Sequence, residues 1–257
     1  MGAEVRIALW QHASSTDPAD NLRALSRMEV PDGAGLVVLP EAFARDFGEP
    51  GTPLAPYAEP LDGPFVTAVQ AAAVQRGTTL IAGMFEQSGD PERPYNTLVL
   101  AGSGELAAYR KIHLYDSFGN RESDFVRPGP TEPTVHDIGG LRFGLMTCYD
   151  LRFPELGRAL SAAGAEALVL PAAWVAGPGK VAQWETLLRA RAIENVCWVI
   201  AAAQPGPRYC GHSMVVAPTG DIVAQAADGE AWVSADLDLA SVAAARERNP
   251  SLSNRRM

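Results

Sequence analysis

Several near-continuous apolar runs constrain this chain more than any other feature. Among them are GLVVLP at 35–40, TLIAGM at 79–84, ALVLP at 167–171 and WVIAAA at 198–203. A strand that is apolar at consecutive positions has both faces covered. Helical stretches separate these runs. The interleaving predicts an α/β fold in which sheets are covered by helices. No internal repeat or low-complexity linker divides the 257 residues, so the expectation is one domain over 1–257.

Local signals give the order of elements. Val5–Trp10 reads as a first strand. Asp17-Pro18 sets a capping side chain before a proline, a helix start. Leu22, Leu25 and Met28 continue it as an apolar stripe. Phe43 to Pro64 is rich in Pro and Gly and reads as a loop. Phe65–Arg76 is helical. Asn96–Ala101 and Leu106–Arg110 flank Gly102–Gly104 as one hairpin. Thr134–Ile138 and Leu141–Met146 flank Gly139-Gly140 as another. Lys180–Asn195 is helical, with Val181, Trp184, Leu187 and Leu188 on one face. Ser213–Ala217, Ile222–Ala226 and Ala231–Leu237 read as the last strands, before a short helix within Asp236–Arg248.

The chemistry concentrates in LRFGLMTCYDLRFPEL, Leu141–Leu156. A buried strand runs into a sharp turn carrying Cys148, and a helix follows to about Ala163. Such a turn lifts one side chain out of the backbone and aims helix-start N–H groups at the same point. Nearby positive charge can hold a thiol there as thiolate. Cys148 reads equally well as a small core hydrophobe. Two other strand ends carry reactive groups: Glu41 follows GLVVLP and Lys111 follows LAAYR. In layered α/β folds, functional groups gather at strand C-termini. A thiol, a carboxylate and an ammonium suffice for acyl transfer, as nucleophile, proton carrier and oxyanion stabiliser. Taken singly, Glu41 reads as a loop carboxylate pairing with Arg45, and Lys111 as a solvated strand-end charge.

Composition excludes several classes. The net charge is −9 and no Lys/Arg run stands out, which argues against a nucleic-acid partner. No stretch reaches the roughly 18–20 apolar residues that span a bilayer. The start, MGAEVRIALWQ, shows no signal-peptide pattern. The three cysteines, Cys148, Cys197 and Cys210, are widely spaced, so they form no disulfide framework and fit a reducing cytoplasm. His12, His113, His136 and His212 lack metal-ligand spacing. There is no phosphate loop or dinucleotide fingerprint. The expectation is a cofactor-free, metal-free, cytoplasmic protein. His113 reads as a structural hydrogen-bonder and Asp116 as a residue that orients its loop.

Three segments carry a resemblance. LPEAF at 39–43, YRKIHLYD at 109–116 and TCYDLRFPEL at 147–156 resemble the signature segments of the nitrilase superfamily of carbon–nitrogen hydrolases, in the same order and approximate spacing. The likeness runs over nearly the whole chain. It implies a four-layer αββα sandwich, usually assembled as a homodimer or higher homo-oligomer. It implies Glu41 as general base, Lys111 as oxyanion-stabilising cation and Cys148 as nucleophile. By the same resemblance, Glu122 helps position substrate and the Tyr149 N–H completes the oxyanion hole. Arg191 and Glu194 match positions that stabilise structure or interface.

CYDLRFPEL is similar to the branch of omega-amidases, deaminated-glutathione amidases and carbamoyl-amino-acid hydrolases. In the carbamoyl-acid hydrolases an arginine matching Arg152 holds the substrate carboxylate, a role that suits a guanidinium fork. The alternative for Arg152 is a salt bridge to Asp150 or Glu155. Trp174 either walls the pocket or belongs to the core. Departures fall near the same place. The loop from Lys111 to Glu122 is short, which implies an open pocket mouth. Gln183 stands where omega-amidases often carry histidine, and Lys180 brings in an extra charge. The tail RNPSLSNRR matches the family's end only loosely. The reading is a thiol amidase that hydrolyses a small linear, carboxylate-bearing amide to acid and ammonia through a Cys148 thioester. Nitrile hydrolysis and carbamoyl-amino-acid hydrolysis are the enzymatic alternatives. A non-catalytic scaffold is the third, and the intact Glu41, Lys111 and Cys148 weigh against it.

Overall fold

The computed structural model describes residues 3–102 and 106–256. The first half runs β1 (Glu4–Gln11), α1 (Pro18–Arg27), β2 (Leu36–Val38), α2 (Pro64–Arg76), β3 (Thr79–Glu86), β4 (Tyr95–Ala101) and β5 (Leu106–Arg110). The second runs β6 (Val135–Ile138), β7 (Leu141–Leu145), α3 (Pro154–Ala162), β8 (Ala167–Ala172), α4 (Lys180–Asn195) and β9 (Trp198–Ala203). It closes with β10 (Met214–Val216), β11 (Ile222–Gln225), β12 (Ala231–Asp238) and α5 (Leu239–Arg248).

The strands form two mixed sheets, ordered β12-β1-β2-β3-β4-β5 and β11-β10-β9-β8-β7-β6. Each has a parallel centre, β1–β2–β3 or β7–β8–β9, with antiparallel strands outside. Side-chain alternation along the strands assigns the layers. In the first sheet, Ile7, Leu9, Leu36, Val38 and Ile81 point into the cluster shared with the second sheet. Ala8, Val37, Leu80 and Ala82 point the other way, onto Leu25 of α1 and Val66 and Val69 of α2. In the second sheet, a Cβ on Gly144 would meet Leu160 of α3 at 3.1 Å. Its neighbour Phe143 therefore faces the first sheet. Helices α3 and α4 cover the outer face. The result is the four-layer αββα sandwich.

Local chemistry explains the element ends. Asp17 caps α1 by accepting from the Ala19 N–H at 2.9 Å, with Pro18 at the first helical position. Gly77, at φ 61°, closes α2 in the left-handed region. Strands β4 and β5 pair antiparallel as the hairpin reading requires. Its tip, residues 103–105, lies outside the described residues. The long loop after Glu41 contains a short 3₁₀ turn at Ala55–Tyr57. The turn carrying Cys148 is itself a 3₁₀ helix, Cys148–Arg152. No helix of the described residues is long and apolar enough to cross a membrane.

Phe143 is fully buried between the sheets. Phe143→Ala should cost about 3–5 kcal/mol, read as a lower midpoint in chemical denaturation. A change under about 1 kcal/mol would contradict the packing described.

Candidate active site

Glu41, Lys111 and Cys148 each lie just beyond a strand end, after β2, β5 and β7. All three border one cavity of about 330 Å³. Lys111 is 2% exposed, and its ammonium donates to Glu41 Oε1 and to Glu122 Oε2, both at 2.9 Å. Asn96 Nδ2 bridges the same carboxylates, at 2.7 Å to Glu41 and 3.1 Å to Glu122. The second Glu41 oxygen accepts from the Ala173 N–H at 2.7 Å. The Glu41 carbonyl accepts from Gln204 Nε2 at 2.9 Å. Glu122 Oε2 also accepts from the Tyr115 N–H at 2.6 Å, which ties down the loop after Lys111. The Glu41–Arg45 pairing is not formed. Arg45 donates instead to the carbonyls of Asp46 and Phe47.

The backbone is held as firmly as the side chains. The Lys111 N–H donates to Asn96 O and the Lys111 carbonyl accepts from the Gly129 N–H, each at 2.8 Å. Ala42 and Cys148 have φ values of 55° and 44°, unusual for residues with a Cβ. The loop beyond Glu41 rests on Gly83 of β3, where a Cβ would overlap the Ala42 nitrogen and lie 2.9 Å from Glu41 Cα.

Asp150 fixes the Cys148 turn. It is fully buried and accepts from the Thr147 N–H at 2.9 Å, the Tyr109 hydroxyl at 2.6 Å and the His113 N–H at 3.0 Å. His113 Nδ1 lies 2.7 Å from the same carboxylate, and its ring stacks on Phe153 at 3.7 Å. One carboxylate thus ties the end of β5, the loop carrying Lys111 and the Cys148 turn together. His113 is the structural hydrogen-bonder expected, and Asp116 holds its loop by accepting from the Ser123 N–H.

Sequence reasoning singled out neither Asp150, Asn96 nor Gln204 for these roles. Asp150 had a local signal, since it stands three residues after Thr147 in a capping box. Asn96 and Gln204 had none. Arg191 donates to Leu151 O at 2.6 Å and pairs with Glu194, a structural role within the chain.

Cys148 is 8% exposed and edges the cavity, so it is both well buried and accessible. Positive charge can hold such a thiol as thiolate, but other influences outweigh it here. Burial pushes the thiol well above its usual range and Glu41 adds to this, while Lys111 opposes it. Lys111 itself stays charged. Burial works against its proton, but Glu122 and Glu41 outweigh that and hold it well above the ordinary lysine range. The Lys111 charge is thus engaged by two carboxylates rather than left for the thiol.

The remaining site residues line a small recess that adjoins Cys148. Tyr149 is the second residue of the 3₁₀ helix, where backbone N–H groups have no acceptor within the helix. Arg152 makes no ion pair with Asp150 or Glu155. Its Nη2 donates to Gln183 Oε1 at 2.7 Å. Trp174 both walls and packs. It is 4% exposed, its Nε1 donates to Lys180 O at 3.1 Å, and its ring lies 4.8 Å from the Arg152 guanidinium. Among the described residues no cluster of side chains suits a metal ion.

Cys197 and Cys210 are also free and buried, and burial pushes each thiol up to about 12. A raised pKa keeps a thiol protonated until the pH exceeds it. The native protein should therefore show no far-ultraviolet thiolate absorbance near neutral pH, with the signal rising only on the alkaline side. A neutral-pH signal that Cys148→Ala removes would contradict this assignment.

The description "Carbon-nitrogen hydrolase" belongs to the family model that matches residues 6–247. A hydrolase of Mycobacterium tuberculosis is 43% identical, over 97% of this chain and 95% of the relative. The deaminated glutathione amidase of Escherichia coli O157:H7 is 38% identical, over 93% of this chain and 91% of the relative. The solved structure of Saccharomyces cerevisiae Nit3, described as a member of branch 10 of the nitrilase superfamily, superposes with a TM-score of 0.85 at 29% identity. That match covers 99% of this chain and 97% of Nit3. With these matches, the chain belongs to the carbon–nitrogen hydrolases of the nitrilase superfamily and is a hydrolase of non-peptide carbon–nitrogen bonds.

Proposed function

We propose that this protein is a thiol amidase that cleaves a small linear, carboxylate-bearing amide through a Cys148 thioester. The observation that carries the reading is the convergence of Glu41, Lys111 and Cys148 on one cavity, with Lys111 bonded to both Glu41 and Glu122. A protonated thiol beside a carboxylate needs that carboxylate as its base. Glu41 takes the Cys148 proton as Sγ bonds to the amide carbon. The Lys111 ammonium and the Tyr149 N–H stabilise the oxyanion. As the tetrahedral intermediate collapses, the C–N bond breaks and Glu41 gives the proton to the leaving nitrogen, which departs as ammonia or an amine. Glu41 then takes a proton from water, whose oxygen attacks the thioester. The C–S bond breaks and the thiol regains its proton. Glu122 acts through Lys111, holding the ammonium in place.

The relatives named deaminated glutathione amidase favour a substrate of that class.

Hydrolysis is best followed as release of acid with ammonia or amine from deaminated glutathione, succinamate and an aliphatic nitrile. Cys148→Ala and Glu41→Gln should each lower turnover by about a thousandfold or more. Full activity in either variant would sink the mechanism, and acid from the nitrile with little from the amides would mark a nitrilase instead. Gly83→Ala places a methyl group against the Glu41 backbone and should lower kcat/KM by about a hundredfold. Undiminished turnover in that variant would show that the Glu41 position is not set by this contact.

A further inference from the structure

Glu41 and Glu122 are joined by two donors, and the mechanism uses only one of them. Lys111 Nζ donates to Glu41 Oε1 and to Glu122 Oε2, each at 2.9 Å. Asn96 Nδ2 donates to the same Glu41 oxygen at 2.7 Å and to Glu122 Oε1 at 3.1 Å. The four contacts close a ring of carboxylate, ammonium, carboxylate and amide. Asn96 stands on β4 opposite Phe85 of β3 and is fully buried. Its backbone carbonyl accepts from the Lys111 N–H at 2.8 Å, so one residue holds the lysine backbone and both carboxylates.

Packing does not explain an amide at this place. The Asn96 side-chain carbonyl is buried without a hydrogen-bond partner among the described residues, a cost that an apolar side chain of similar size would avoid. What the amide supplies is two N–H donors without a charge. A hydroxyl has one donor and cannot serve both carboxylates. A second cation would balance the cluster and leave Glu41 little tendency to take a proton. A third carboxylate would crowd three acids onto one ammonium. With asparagine, the two carboxylates and one ammonium carry a single net negative charge, which a proton from Cys148 cancels. Two further titratable groups lie within reach of the Glu41 charge. Cys148 enters from the turn after β7, and burial together with Glu41 keeps its proton on. The Tyr209 hydroxyl is committed to Asp46, to which it donates at 2.7 Å.

We propose that Asn96 is a positioning residue for the proton transfer, keeping Glu41 ionised and aimed at the thiol by bonding both carboxylates through one uncharged amide. The proposal rests on the reading of Glu41 as the base. A hydrogen-bond donor favours the ionised form of the carboxylate it serves. Without that donor the carboxylate pair takes up a solvent proton at higher pH. A Glu41 that already carries a proton cannot accept one from Cys148. Activity is then lost sooner as the pH falls, so the acid limb of the pH profile moves to the alkaline side. A like charge in place of the amide moves it further.

The test is the pH dependence of kcat/KM for the native protein, Asn96→Asp and Asn96→Ala, on whichever of deaminated glutathione and succinamate the native protein hydrolyses faster. Titration of the substrate is common to all three and cancels in the comparison. Asn96→Asp should move the acid limb to the alkaline side by about one pH unit or more, and Asn96→Ala by less. A role in packing alone predicts the reverse order of damage. Aspartate keeps the asparagine volume while alanine leaves a cavity, and the loss would be the same at every pH. An unmoved limb in either folded variant would overturn the proposal, so Asn96→Ala decides the matter where Asn96→Asp does not fold. A second measurement needs no turnover: the rate of Cys148 alkylation by iodoacetamide as a function of pH. The added negative charge in Asn96→Asp should shift that profile to higher pH, and a profile superimposable on the native one would overturn the proposal even where amide hydrolysis is confirmed. A shifted alkylation profile in a protein that hydrolyses neither amide would uphold the control by Asn96 and reject the amidase reading.

Discussion

The buried Lys111 ammonium is the interaction on which the rest of the site depends. An isolated ammonium at 2% exposure would shed its proton rather than stay charged. Two carboxylates prevent that, and in turn Lys111 lets Glu41 and Glu122 share one ammonium. The excess negative charge is spread over the donors of Asn96, Ala173 and Tyr115. Breaking a buried pair by removing one partner costs about 3–5 kcal/mol, because the other charge is left uncompensated. The cluster therefore holds together as a unit. Its members come from the ends of β2 and β5 and from the loop that precedes β6.

That unit requires backbone in places where it does not relax freely. Ala42 and Cys148 sit in the left-handed region, and such residues cost about 1–3 kcal/mol each. The surrounding structure holds them there. Gly83 lets the Glu41 loop lie directly on β3, and Asp150 fastens the Cys148 turn to Tyr109 and His113. Rigid sheets on one side and a buried carboxylate on the other fix the relative positions of Glu41 and the thiol. Preorganisation of this kind is what a proton transfer between them demands.

Charge is divided across the site. On the Glu41 side, carboxylates outnumber the one ammonium, and they help keep the thiol protonated. On the Trp174 side, Arg152 and Lys180 stand against aromatic rings and, among the described residues, pair with no carboxylate.

The sequence by itself determined the elements and the three reactive groups. Apolar runs at strand spacing marked the central strands, and Asp17-Pro18 and Lys180–Asn195 marked helices within a residue or so of their ends. Glu41, Lys111 and Cys148 were legible as a set because each stands just past a strand end and the three segments that carry them resemble the nitrilase superfamily. Tertiary structure alone decided how those groups act. Lys111 and Glu41 are 70 residues apart, Ala173 and Glu41 132, and Gln204 and Glu41 163. No local pattern reports such contacts, so the partners of Glu41 could not be read in advance. The direction in which the Cys148 thiol shifts could not be read locally for the same reason. Burial and the sum of surrounding charges set it, and both exist only once two sheets and their loops have closed around the thiol.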